Sequence, residues 1–218
     1  MSQERTYAGE SLAIRTGRRR QALLDAGLEV FGTIGYRKAT VKGLCKQAQL
    51  ADRYFYESFE TLEDLLVATY EEQVRGLRAH VMAAFAGVPA DASSLTVVEA
   101  CLRAVLDGIK DVRVARLVWL EGVGVSPRVD KVHGATLSEF ASLLVTLAKV
   151  KEPQWALDRD TERMLGLTLV GGINEGIQQW LMDPVDGELE TLVTANLIVF
   201  EGVIAVLAQR HRSAPAQA

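Results

Sequence analysis

The chain has 218 residues, 49% of them apolar and 24% charged. That fits one large or two small soluble domains whose core needs no disulfide or metal, and it excludes wholesale disorder. The net charge of −4 reads at first against a nucleic-acid partner, whose binding domain is usually basic.

Gly and Pro are sparse inside long apolar-periodic runs, and β-branched alternation is rare, so the predicted class is all-α. The first helix is predicted over about Arg18 to Ile34, with Leu23, Leu24, Gly27, Val30, Phe31 and Ile34 at three- and four-residue steps. Gly35 follows it in the C′ role that favours positive φ. Thr40 is a good N-cap for a second helix that buries Val41, Leu44, Cys45 and Ala48. After a turn at Gln49 and Leu50, a third helix covers about Ala51 to Ser58 and turns Phe55 and Phe59 inward. Longer helices follow over about Leu62–Phe85, Ser93–Lys110, Asp111–Glu121, Ser126–Lys149, Asp158–Met182 and Asp186–His211. Ser126 and Pro127 make a cap and first-turn pair. The tail from Ser213 to Ala218 is expected to fray. Two domains are therefore expected, residues 15–60 and residues 61–212.

The average charge hides a split between them. From Arg15 to Arg53 there are nine basic residues against three acidic ones, a charge of +6, which leaves −10 for everything else. A basic head on an acidic body points to an anionic partner for the head, because Lys and Arg neutralise phosphates.

The second and third helices are short and joined by a tight turn, and their apolar spacing lets them cross steeply. That is the helix-turn-helix arrangement, in which one helix crosses the phosphate backbone and the other enters the major groove. Arg53 has the geometry to pair bidentately with guanine, and a Tyr edge can meet a thymine methyl. Lys42, Arg18, Arg19 and Arg20 can add phosphate contacts. The other home for Tyr54 and Tyr56 is the core or the seam between helices.

A longer pattern is more specific. Leu23-Leu24-x-Ala26-Gly27-x-x-Val30-Phe31-x-x-x-Gly35-Tyr36-x-x-Ala39-Thr40-Val41-x-x-Leu44-Cys45-x-x-Ala48, then Tyr54-Phe55-Tyr56-x-Ser58-Phe59 and Glu63-Asp64-Leu65-Leu66, resembles the TetR family of bacterial transcriptional regulators. The resemblance implies a homodimer that binds double-stranded DNA at a palindromic operator and leaves it when a small-molecule effector enters the body. It implies phosphate contacts from Thr40 and Tyr56, with Asp52, Arg53 and Tyr54 facing the groove. It also implies that the helix after the head links effector and DNA. Three positions depart from the pattern. Gln49 stands where the family usually has a turn Gly, at a cost of about 1 kcal/mol if the residue is left-handed. Ala51 stands where a capping Ser or Thr is usual, so Asp52 is a candidate cap shifted by one, which would remove it from base readout. Leu62 replaces a phosphate-binding Lys.

In the body, Gly166, Gly171, Gly172 and Gly176 fall within one predicted helix, each costing roughly 0.8–1 kcal/mol there, so close approach of a neighbour is expected. The resemblance places the dimer interface on this helix and the last one, with Gly172, Gly176, Leu192, Val199 and Val203 as candidates; the alternative is packing within one chain. Arg116, Glu121, His133, Asn174, Glu175 and Gln178 lie among apolar residues that include Trp119, Phe140, Met164 and Trp180. A cavity so lined would suit a mostly apolar ligand with one polar end. Trp119, Phe140 and Asn174 are the candidate effector contacts, and His133 reads as a surface or satisfied residue.

Cys45 and Cys101 belong to no Cys/His cluster, so neither a disulfide framework nor a zinc site is expected. No motif of hydrolase, metalloprotease or phosphate-loop type occurs, so no enzyme and no cofactor are expected. The first residues lack an apolar signal core, and no uncharged apolar run reaches the roughly 18 residues of a membrane span. The chain is expected to be cytoplasmic, with no membrane partner. The main function expected is a ligand-responsive repressor. The alternative is an interaction protein of the same fold, or a co-regulator, that no longer binds an operator.

Overall fold

A computed structural model describes residues 12–122, 124–155, 157–183 and 189–213. Among the described residues the chain is helical throughout, with no strand. Its helices are α1 (Leu12–Thr33), α2 (Val41–Gln47), α3 (Asp52–Tyr56), α4 (Leu62–Gly87), α5 (Ser94–Asp107), α6 (Val112–Ala115), α7 (Pro127–Lys151), α8 (Arg159–Met182) and α9 (Leu189–Ser213). The chain divides into two compact units, Met1–Thr69 and Tyr70–Ala218. The division falls inside α4 and not ahead of it, because Leu65, Leu66 and Thr69 of its first turns are sealed inside the head.

The head packs around Leu23, Phe31, Leu44, Phe55 and Leu65, all fully buried. Helix α1 starts earlier than its apolar pattern, at Leu12, and its first turns, Ile14 included, are largely exposed. It ends at Thr33, and Gly35 holds the positive φ of 84°. Gly27 is required by packing: a Cβ there would lie 2.5 Å from Thr69 Oγ1. Thr69 is fully buried and its hydroxyl donates to the Leu65 carbonyl, 2.7 Å away. Helix α4 opens with a reciprocal cap. The Asp64 amide donates to Thr61 Oγ1 at 3.1 Å, and the Thr61 amide donates to Asp64 Oδ2 at 2.9 Å.

In the body, Ser126, predicted as a cap, accepts an amide hydrogen bond at its helix start, and Ser93 and Asp158, at the predicted starts of their helices, do the same. The segment predicted as one helix over Asp111–Glu121 is two pieces. Helix α6 is capped by Asp111, and Arg116–Leu120 forms a π-helical turn. Helices α7 and α8 form a closely packed hairpin. A Cβ on Gly166 would stand 3.0 Å from the Ala141 carbonyl oxygen, so one of the four glycines of α8 is needed for that approach. Gly171 and Gly172 have open space around them, and Gly176 would meet only Leu192, at 3.7 Å. Helix α9 is described from Leu189; the predicted start at Asp186 and the tail beyond Ser213 lie outside the described residues.

Candidate DNA-binding face and ligand cavity

The head's helix-turn-helix is built as its spacing demands, with one strained joint. Thr40 caps α2, its hydroxyl accepting from the Gly43 amide at 3.1 Å. In the turn, Gln49 adopts φ 55°, the left-handed conformation that favours Gly. Helix α3 begins at Asp52 behind Ala51, which supplies no side-chain cap. The shifted cap at Asp52 is therefore not formed. Asp52 occupies the first helical position, exposed, and its carboxylate lies by the Cys45 thiol, which burial first and then Asp52 push up in pKa.

The aromatic run of α3 divides by direction. Phe55 is fully buried, and Phe59 packs against it with ring centroids 5.9 Å apart. Tyr56 points outward at 62% exposure. Tyr54 lies at the seam between α1 and α3. The Arg19 guanidinium sits 4.1 Å above its ring, and Arg53 Nη2 donates to its hydroxyl at 2.7 Å. That hydrogen bond, followed by the Arg53 charge, holds the Tyr54 pKa below its ordinary value. Arg19 also pairs with Glu57 at 3.2 Å, and Arg20 lies 4.5 Å above the Phe59 ring. Of the three consecutive arginines, Arg19 thus braces α3 and Arg20 covers the Phe59 ring just after it. Arg18, Lys42 and Arg53 are exposed on the same unit.

The body holds a partly open cavity of about 220 Å³ lined by α4, α5, α7, α8 and α9. Its walls are aliphatic and aromatic, and they include the three candidate contacts, Trp119, Phe140 and Asn174. Tyr70 and His133, not among those candidates, share this wall: Tyr70 Oη lies 3.1 Å from His133 Nδ1. Burial pushes the Tyr70 pKa up and the His133 pKa down, the latter against the charge of Asp130. Tyr70 lies on the stripe Tyr70, Val74, Leu77 and Val81, which faces the cavity along α4, but such a stripe does not by itself tell a cavity wall from ordinary core. Other polar candidates are engaged elsewhere. Arg116 and Glu121 pair with each other at 3.0 Å, Glu175 accepts from Gln179 at 2.8 Å, and Met164 is exposed. Among the described residues, no cluster of His, Cys, Asp and Glu is placed to hold a metal ion.

Residues 23–69 match the family model described as bacterial regulatory proteins, tetR family. The head is therefore similar to that family over those residues, and the match does not extend to the body. No curated protein matches the sequence. Among solved structures, the fatty acid degradation regulator FadR from Bacillus halodurans has a TM-score of 0.70 at 18% identity, covering 83% of this chain and 93% of its own. FadR from Bacillus subtilis in complex with stearoyl-CoA has a TM-score of 0.69 at 18% identity, covering 82% and 96%. A transcriptional regulator from Pseudomonas aeruginosa PAO1 has a TM-score of 0.69 at 19% identity, covering 93% and 99%. At these identities the likeness shows that the fold is shared.

In the body, α8 and α9 carry the candidate interface residues in two directions. Gly172 and Val199 are exposed, Val199 at 53%. Leu192 packs toward the body core beside Gly176, and Val203 lines the cavity. The exposed apolar face of α9 is made instead by Ile198, Val199 and Val206, with Gly202 open between them. By length and composition alone, Leu189–Arg212 is apolar enough to cross a membrane, unlike the expectation from charge spacing, and little of it apart from Val193 and Phe200 is buried in the body.

Proposed function

We propose that this chain is a ligand-responsive transcriptional repressor of the cytoplasm, bound as a homodimer to a palindromic operator and released by a small, mostly apolar effector. The observation that carries this reading is the pairing of opposite interiors: a filled head whose cations and Tyr56 are outside, and a hollow body whose apolar surface is inside. The exposed stripe Ile198, Val199 and Val206 supports dimerisation, since a contiguous apolar face on a soluble helix gains from being covered. Two copies would then present two copies of α3 to successive major grooves, about 34 Å apart. On DNA, Arg53 would leave the Tyr54 hydroxyl for guanine O6 and N7. Thr40, Tyr56, Lys42 and Arg18 would hold phosphates, Arg19 and Arg20 would add charge beside α3, and Asp52 and Tyr54 would border the groove. Trp119, Phe140 and Asn174 would touch the effector, whose apolar body matches the long acyl chain of the stearoyl-CoA in the Bacillus subtilis FadR complex. The effector works by preferring one of two dimer arrangements that differ in the spacing of the α3 helices.

The test is binding to DNA upstream of the chain's own gene across a salt series. A specific complex whose affinity falls steeply with salt is expected. Arg53→Ala should relax specificity and Tyr56→Phe should weaken binding. A flat salt dependence, or full binding by both variants, would replace this reading by that of an interaction protein that no longer contacts an operator.

A further inference from the structure

The cavity is long, and its polar groups are sorted by end. It is lined along α7 from His133 to Lys151, about 27 Å of helix. Within the α7–α8 hairpin, Ala141 faces Gly166, and Lys149 pairs with Glu162 at 2.7 Å. Continuing that antiparallel register sets Asn174 level with residues 133–137 of α7, within about a turn of His133, and so near Tyr70. The charged lining residues, Lys151 and Glu152, are both at the opposite end. There Lys151 donates to the Ala90 carbonyl at 2.7 Å, and Glu152 accepts from the Ser94 hydroxyl.

The Asn174 end differs in kind. Tyr70 and His133 hydrogen-bond each other. Asn174 lines the cavity, yet its side chain makes no hydrogen bond among the described residues. The amide is accessible from the cavity, so its one acceptor and its donors are available to an occupant. Resting on the reading of the body as an effector pocket, we infer that Asn174, beside the Tyr70–His133 pair, recognises an uncharged hydroxyl or carbonyl oxygen on an elongated apolar ligand.

Neutrality follows from what surrounds the amide. No lysine or arginine lines that end, so a carboxylate there would be buried without a counter-charge. Burial keeps Tyr70 a phenol and holds His133 toward its neutral form, so neither supplies one. A hydroxyl or carbonyl needs only what an amide offers, and the aliphatic walls accommodate the rest of the ligand. The far end holds a single lysine beside a glutamate, which suits no polyanionic head group.

The experiment titrates the full chain with dodecanol, methyl dodecanoate and dodecanoate near neutral pH. Fluorescence of Trp119 and Trp155, both on the cavity wall, reports occupancy. The two neutral ligands should bind at least about tenfold more tightly than the carboxylate. Asn174→Leu should erase about tenfold of the dodecanol affinity, the worth of one hydrogen bond, while leaving dodecanoate little changed. Tyr70→Phe, which keeps the ring, should cost less. Equal or tighter binding of dodecanoate, unchanged dodecanol affinity in Asn174→Leu, or no binding of either neutral ligand would overturn the inference. Operator binding is measured in parallel. Neutral ligands that bind but leave the DNA complex intact would refute the repressor reading alone. Ligand-free operator binding with no dodecanol affinity would refute the recognition site alone.

Discussion

In the head, Leu23, Phe31, Leu44, Phe55 and Leu65 close on one another without solvent access, the Thr69 hydroxyl is satisfied within, and the charged side chains stay outside. In the body, Phe140, Leu144, Val170 and Ile173 close around a space, and polar chemistry is kept within it at Tyr70, His133 and Asn174. Both regions are amphipathic helices packed by the same rules, yet they serve different ends. A filled interior makes a rigid presenter of surface groups. A hollow one gives up dispersion contacts along its lining and gains a place where a guest restores them.

The largest expected effect would break this contrast at its root. Phe31→Ala should cost the head about 3–5 kcal/mol, because nothing around a fully buried ring can refill the space. Phe140→Ala should cost the body only about 1–2 kcal/mol, since part of that ring already faces a void. Chemical denaturation followed by circular dichroism compares them, and equal losses would show that the hollow is not hollow in solution. Next in size is Arg53→Ala, expected to remove about 1–3 kcal/mol of operator discrimination in a competition binding assay. It should leave effector affinity untouched, as the head's chemistry is external.

A smaller effect sharpens the contrast through pH. Burial holds His133 below its ordinary value of 6.5. The unfolded chain therefore takes up a proton before the folded one as pH falls, so stability rises with pH in that window. Its contribution is fully present above pH 6.5 and is lost as pH falls from there through the folded value. His133→Gln should flatten this part of the stability–pH curve, measured by thermal melts, with no change in operator contacts. Smallest is Gln49→Gly, which relieves a left-handed residue and should stabilise the head by at most about 1 kcal/mol. A loss in melting temperature instead would mean that the Gln49 side chain contributes more than its backbone costs.

Much of the head was legible because its signals are local. Thr40 as a cap, Gly35 at positive φ and Phe55 as the inward residue of α3 all follow from spacing of a few residues. The strain at Gln49 was legible for the same reason, as a turn position lacking its Gly. Asp52 was read differently: a cap at Asp52 would have required α3 to start one residue later, whereas Ala51 takes the cap position without a side-chain hydrogen bond. Arg19 also escaped, because its role depends on a ring thirty-five positions away in sequence.

The body shows the limit more plainly. Trp119, Phe140 and Asn174 were readable as apolar and polar residues mixed on helices, and they do meet on one wall. Tyr70 did not declare itself, since a Tyr on an apolar stripe reads as ordinary core until His133, sixty-three positions later, comes within 3.1 Å. Leu192, Val199 and Val203 share a helix, but burial sends Leu192 and Val203 inward and leaves Val199 outside. The sequence by itself determined the all-helical class, the caps, and the split of charge into +6 and −10, because these depend on neighbours a few residues apart or on composition. Only the tertiary structure decided which faces enclose space, which arginines brace and which stay exposed, and where the uncharged end of the cavity lies. Those depend on how helices far apart in the chain pack together, and one helix's periodicity carries no record of its partners.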